Sequence, residues 1–218
     1  MNRWITFDCY GTLIDWRTGM RNSLDMIAPG HGAALLELHR RIEGQIEMHE
    51  PYRPYREVLA ESVRRMCAER GAAIRSGDEQ VLAATLAYWP LYADTNAALK
   101  ALKAQGWKLA ILSNVDRDLI VGTLRHFEVP FDLVITAEDV RSYKPAPAHA
   151  QRFLDITGVA AGDWLYAAVS LQYDLVEGQR MGAQCAWINR DRESAADTGF
   201  LRGNLAGMKD LPALAATL

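Results

Sequence analysis

Residues 4–13 read WITFDCYGTL, and this stretch decides how the rest of the chain is read. Trp4, Ile5, Thr6 and Phe7 are aromatic or β-branched, residue types that suit a buried strand. The run stops at Asp8, and Cys9-Tyr10-Gly11-Thr12 follows as a tight, glycine-containing turn. A carboxylate at the tip of a buried strand needs an aqueous cleft or a charged partner, because burying it alone is prohibitive. A surface acid that ends a strand and caps the next segment would look the same in isolation. Features further along the chain separate the two.

Composition narrows the field first. The 218 residues are 50% hydrophobic and 23% charged, enough for one α/β domain carrying a modest insertion. A net charge of −3 gives no electrostatic basis for a nucleic-acid or membrane partner. Cys9, Cys67 and Cys185 are few, odd in number and widely spaced, which suits a reducing compartment and no metal site. The amino-terminal residues show no apolar signal segment, and no apolar run approaches membrane-spanning length. The expectation is a soluble, cytoplasmic protein.

Beyond Asp15 the pattern turns helical. Leu35, Leu36, Leu38, Ile42 and Ile46 recur at helical spacing, residues 55–67 continue it to Gly71, and Asp78-Glu79 opens a further helix from Val81 to Tyr88. Pro51, Pro54, Gly71 and Pro90 punctuate this segment. It reads as a helical insertion over 16–92, set into a domain made of 1–15 and 93–218. From Asn96 onward helix and strand alternate. Helices are expected at 97–105, 116–127, 148–157 and 174–181, and strands at 108–112, 133–136, 164–169 and, last, 185–188. Such alternation implies a parallel sheet with crossover helices, whose ligand crevice lies beyond the carboxyl ends of the strands.

That rule collects scattered residues. Asp8 ends the first strand and Ser113-Asn114 the second; Lys144, in the loop Ser142-Tyr-Lys-Pro145, and Asp174, after the fourth strand, lie on the same edge. Singly, Ser113 is a turn residue, Lys144 a solvated lysine and Asp174 a helix cap. Together they bring an acid, a hydroxyl, an ammonium and a second acid to one place.

These residues resemble the haloacid dehalogenase superfamily, within it the L-2-haloacid dehalogenase-like branch. FDCYGTL is similar to its first motif, LAILSN to its second, YKP to its third and CAWINR to its terminal strand. The resemblance covers essentially the whole chain and implies a Rossmann-like core with a helical cap inserted after the first motif. It implies that Asp8 attacks carbon to form an aspartyl ester, which water then hydrolyses at the Asp8 carboxyl carbon. Lys144 would keep Asp8 ionised, Thr12 and Ser113 would hold Asp8 or the substrate carboxylate, Asn114 would support them, and Asp174 would orient Lys144 and help activate water. No cofactor is implied, and the partner is a small-molecule carboxylate; dimer-forming enzymes in the branch allow a homodimer.

Departures from the family pattern bear on the substrate. Magnesium phosphatases of the superfamily carry a second acid two positions after the nucleophile and another in the fourth motif; here these are Tyr10 and Val169. Dehalogenases of the branch carry a tyrosine where this chain has Ala150, and a serine and an asparagine where it has Val169 and Leu171. Their cap arginine, which helps to bind the leaving halide, corresponds to Arg40 or Arg41. Tyr10 and Trp16 are placed to line a small cleft, whereas Cys9 points to the other face of the strand. His31, His39, His49, His126 and His149 show no ligand spacing and are expected on the surface or in helices. Four readings follow: a metal-independent (S)-2-haloacid dehalogenase, a hydrolase opening a strained ring acid such as azetidine-2-carboxylate, a magnesium phosphatase, and a non-catalytic binding relative.

Overall fold

The structure is a computed structural model that describes residues 2–48 and 51–218. Strand β1 (Trp4–Phe7) is followed by α1 (Trp16–Ile27), α2 (Gly32–Glu47), α3 (Tyr55–Arg70) and the short α4 (Val81–Thr85). Then come α5 (Thr95–Ala104), β2 (Lys108–Ser113), α6 (Arg117–Leu124), β3 (Leu133–Thr136), α7 (Ala137–Val140), α8 (Ala148–Thr157) and β4 (Trp164–Ala168). The chain closes with α9 (Val176–Arg180), β5 (Gln184–Ile188), β6 (Leu201–Leu205) and α10 (Leu211–Ala215). Among the described residues no helix is long and apolar enough to cross a membrane.

All six strands run parallel in the order β3-β2-β1-β4-β5-β6. This is the doubly wound order, with its switch point between β1 and β4. Every residue of β1 and β4 is buried, as strands covered on both faces must be. Phe7 pairs with Ile111 on one side and Ala167 on the other, so Asp8, the end of β2 and the end of β4 are level. The helices α1 to α4, which enter between β1 and β2, pack on one another around Leu24, Leu35, Leu59, Val63 and Leu82.

Several local expectations are corrected. Residues 185–188 are not the last strand: β6 adds an edge strand beyond β5. Its sequence, Leu-Arg-Gly-Asn-Leu, is poor in β-branched residues and half-exposed, because only one neighbour covers it. Asp174 does not open a helix. It lies inside a single π turn, Leu171–Leu175, and α9 starts only at Val176. The stretch 81–88 is α4 followed by a separate 3₁₀ turn, Leu86–Tyr88. The short helix α7 is a capping box, in which Thr136 and Asp139 bond each other's backbone N–H.

One contact ties the cap helices to the sheet. Pro54, before α3, has no side chain with which to cap it. Asp116, buried just beyond β2, accepts the backbone N–H groups of Tyr55 at 2.7 Å and Arg56 at 2.8 Å instead. Tyr143 reaches the same region, its hydroxyl donating to the Arg53 carbonyl at 2.7 Å. Asp116→Ala is expected to lower the urea midpoint by the equivalent of about 1–3 kcal/mol, because it leaves two backbone donors unpaired, that of Tyr55 fully buried. Unchanged stability would show that Asp116 does not hold α3.

Candidate active site

The first turn requires Gly11. Its φ is 108°, and a Cβ there would stand 3.0 Å from Val169 Cγ1 and 3.1 Å from the Trp16 indole. This close approach brings Thr12 back beside Asp8, where its hydroxyl donates to Asp8 Oδ2 at 3.0 Å. Thr12 Oγ1 in turn accepts the Val169 backbone N–H at 3.0 Å. From the far side, Arg190 donates to the Thr12 carbonyl at 2.8 Å, pairs with Asp94 at 3.0 Å and stacks over Tyr92.

Lys144 is the centre of the arrangement. Its Nζ donates to Asp8 Oδ1 at 2.9 Å, to the Leu112 carbonyl at 2.9 Å and to Asp174 Oδ1 at 2.6 Å. All three ammonium protons are therefore used. The Lys144 side chain is 6% exposed, that of Asp174 2% and that of Asp8 13%, so Asp8 is the member that faces the cleft. Burial would lower the Lys144 pKa, but the Asp174 and Asp8 carboxylates outweigh it and hold the ammonium above its ordinary value. Asp174 is raised to about 6 by burial, with Asp8 adding to the rise and Lys144 and a 2.7 Å hydrogen bond from Tyr166 opposing it. Asn114 fixes the lysine from behind: its Oδ1 accepts the Lys144 N–H at 2.8 Å and its Nδ2 donates to the Lys144 carbonyl.

Ser113 is buried, and its carbonyl accepts from His149 at 3.2 Å. Its hydroxyl makes no hydrogen bond among the described residues, which leaves it free for a ligand. Asp8, Thr12, Ser113, Asn114, Lys144 and Asp174 thus come together at one sheet edge.

The expected cap contacts do not. Arg41 is half-exposed and bonded to Glu69 of α3 at 2.7 Å, the geometry of a solvated helix face. Arg40 is also exposed, 4.0 Å from Glu193 and over the Trp16 ring. Tyr10 is a wall residue whose hydroxyl is bonded to Thr123 at 2.9 Å and whose ring meets Trp89 edge-on. Burial pushes the Cys9 thiol well above its ordinary pKa, so it is inert.

His39 and His149 lie in helices α2 and α8, within what was expected of the histidines, and both are buried; His49 lies outside the described residues. Burial pushes His149 down to about 3, so it is a neutral ring. His39 faces Glu43, with Nε2 3.1 Å from its carboxylate, and Glu43 also accepts from Tyr55. A signal for this group exists in the sequence: His39 falls on the stripe of Leu35, Ile42 and Ile46, where a polar residue needs a partner. Nothing local announces Tyr166 or Arg190, whose contacts join residues far apart in sequence.

The donor set does not fit magnesium. Asp8 and Asp174 each have an oxygen on the Lys144 ammonium, Tyr10 is tied to Thr123, and Val169 contributes only backbone contacts and methyl groups beside the turn.

Comparison with known proteins places the chain in a family. Residues 3–166 match the model of the haloacid dehalogenase-like hydrolases. An (S)-2-haloacid dehalogenase of Pseudomonas putida is 28% identical over 219 residues, covering 94% of both chains. The haloacetate dehalogenase H-2 of Moraxella sp. is 28% identical over 85% of each chain. The crystal structure of an L-2-haloacid dehalogenase superposes with a TM-score of 0.88 at 25% identity, over 98% of both chains. The match over most of the chain shows that this protein belongs to the haloacid dehalogenase-like hydrolase family.

Proposed function

We propose that the protein is a metal-independent hydrolase that displaces halide from small (S)-2-haloalkanoates, with Asp8 as the nucleophile. The observation that carries this reading is the setting of Asp8: one oxygen on the Lys144 ammonium, the other on the Thr12 hydroxyl, and a side chain more exposed than those of Lys144 and Asp174. A carboxylate so held is a nucleophile whose two oxygens are already aimed. Tyr10 stands where a phosphatase needs a proton donor for its leaving alkoxide, and a halide needs none. The (S)-2-haloacid dehalogenases and the haloacetate dehalogenase among the relatives support the substrate class. The three cysteines, all free and buried, suit action in the cytoplasm.

Two displacements make up the reaction. An Asp8 oxygen attacks carbon 2, the carbon–halogen electron pair leaves with the halide, and an ester joins enzyme and substrate. Ser113 supplies an unpaired hydroxyl for the substrate carboxylate. Forming the ester removes one of the two charges that Lys144 balances and leaves the Lys144–Asp174 pair facing the ester. Asp174 Oδ1 stays on Lys144 and Tyr166, while Oδ2 has no partner among the described residues and can accept a proton from water. Attack of that water on the Asp8 carboxyl carbon releases the 2-hydroxy acid and restores the carboxylate.

Halide release from (S)-2-chloropropionate, insensitive to a chelator, is the expected activity. Azetidine-2-carboxylate opening without halide release, or chelator-sensitive release of phosphate from an aryl phosphate, would contradict it. Asp8→Asn is expected to lower turnover by roughly four orders of magnitude, as removal of a covalent nucleophile does; a near-normal rate would sink the assignment. The rate of ester hydrolysis in single turnovers should fall in acid, where Asp174 becomes protonated and no longer accepts from water; the fall should lie below the value of about 6 that Asp174 has in the free site, because the ester removes the Asp8 charge that helps to raise it. Lys144, held above its ordinary pKa, should add no alkaline limb below pH ~10. Ester hydrolysis at the wild-type rate in Asp174→Asn would rule Asp174 out of the water step.

A further inference from the structure

The two displacements make different demands on the site, and one buried side chain answers only the second. Tyr166, in the middle of β4, is 2% exposed, and its hydroxyl meets Asp174 Oδ1 at 2.7 Å. Burial and the Asp174 charge hold this hydroxyl well above its ordinary pKa, so it keeps its proton and is the donor. The same oxygen takes the Lys144 ammonium at 2.6 Å. Both lone pairs of Oδ1 are thereby occupied. Oδ2 is in the opposite position, with no hydrogen bond among the described residues. Four side-chain atoms there are both sealed and unpartnered, His39 Nδ1, Ser62 Oγ, Trp107 Nε1 and His149 Nδ1, and Oδ2 is not one of them. It therefore keeps an opening.

Several features fix the Tyr166 ring. Its backbone pairs with Thr6 of β1 and Cys185 of β5, so strands flank it on both sides. The ring stacks on Trp164, with centroids 6.2 Å apart at 24°, and the Trp164 indole N–H donates to Thr6 Oγ1 at 2.9 Å. The ring also lies against Gly178 of α9, where a Cβ would stand 2.6 Å from Tyr166 Cδ1. Glycine is a poor helix former, and its place here answers to the room that the ring takes. The titratable groups facing Asp174 are Lys144 from the loop after β3, Asp8 from the end of β1 and Tyr166 from β4. Cys185 of β5, whose thiol meets the Leu175 carbonyl at 3.4 Å, stays neutral because burial pushes it up to about 12.

We propose that Tyr166 is a positioning residue for the hydrolytic step: with Lys144 it pins Asp174 Oδ1 and so reserves Oδ2 for the proton of the attacking water. The proposal rests on the displacement reading above and separates its two steps. Attack of Asp8 on carbon moves no proton, so Tyr166 has no part in halide release. In the second step the water oxygen bonds the Asp8 carboxyl carbon, and one of its protons passes to Asp174 Oδ2. The bond from that carbon to the substrate oxygen then breaks, and the departing alkoxide takes the proton from Oδ2. The second proton of the water leaves to solvent as Asp8 returns to a carboxylate. Without the Tyr166 hydroxyl, Oδ1 keeps one partner and the charged carboxyl loses a donor, so Asp174 should titrate higher.

Tyr166→Phe keeps the ring on Trp164 and Gly178 and deletes the hydroxyl alone. Single turnovers of (S)-2-chloropropionate read the steps apart, halide for the first and lactate for the second. Ester formation is expected to change less than about threefold, while ester hydrolysis at neutral pH slows about tenfold and its acid limb moves up by about one pH unit. Equal loss in both steps, or slower hydrolysis with an unmoved limb, would reveal a purely structural role, and hydrolysis like the wild type no role; each overturns the proposal. Should the Phe variant fail to fold, a fluorotyrosine at 166 alone, a stronger donor, should move the limb downward, and an unmoved limb overturns the proposal equally. Titration of Asp174 in the free enzyme, followed through carbon-13 aspartate, should also lie higher in Tyr166→Phe, and an unchanged titration would overturn the hold on Oδ1. A raised titration alongside a wild type that releases no halide from any 2-haloacid would contradict the dehalogenase reading alone.

Discussion

One ammonium between two carboxylates is the constraint on which the rest of the molecule depends. Lys144 needs three acceptors within 3 Å, and they come from the ends of three adjacent strands: Asp8 after β1, Leu112 in β2 and Asp174 after β4. Only a parallel sheet with those strands in register delivers them to one point. The π turn at Leu171–Leu175 belongs to the same constraint, because it turns Asp174 inward where a regular helix start would face solvent. Asn114 clamps the lysine backbone, and Arg190 clamps the Thr12 carbonyl, so both halves of the cluster are anchored outside the cleft. The arrangement is costly to the fold. An acid whose pKa is raised to about 6 by folding stabilises the native state most below pH ~4, and that contribution is lost as pH rises through 6. Asp174 is thus least favourable to stability at the pH where the proposed water step would use its ionised form.

The helices that enter between β1 and β2 are tied to the loops of this cluster. Asp116 and Tyr143, each in a loop beyond a strand end, hold the start of α3, so the loops that carry the chemistry also carry the lid.

Much of this was legible in the chain before any coordinates. Asp8, Ser113, Lys144 and Asp174 stand at strand ends, and a parallel sheet leaves strand ends nowhere else to point. Tyr10 and Val169 spoke against a cation for an equally local reason, the lack of a carboxylate. The illegible parts rest on pairing across distance. β6 is a weak strand made by the neighbour it joins, and the π turn has no residue signature. Arg41 looked like a cleft residue because helical register can be read only to within a turn, and Glu69, which claims it, lies 28 residues away. That His39 lies in a helix is readable from the pattern, but its burial is not, because its partner Glu43 reads on a helical wheel as ordinary surface charge.

The central claim is that Asp8 becomes covalently attached to the substrate and is freed by water at its own carboxyl carbon. A single turnover of (S)-2-chloropropionate by excess enzyme in heavy-oxygen water, followed by mass analysis of the peptide containing Asp8, tests it directly. Heavy oxygen is expected in the Asp8 carboxyl, with ordinary oxygen in the first molecule of lactate released. Label in the lactate and none in Asp8 would mean that water attacks the substrate itself, and the ester would have to be abandoned.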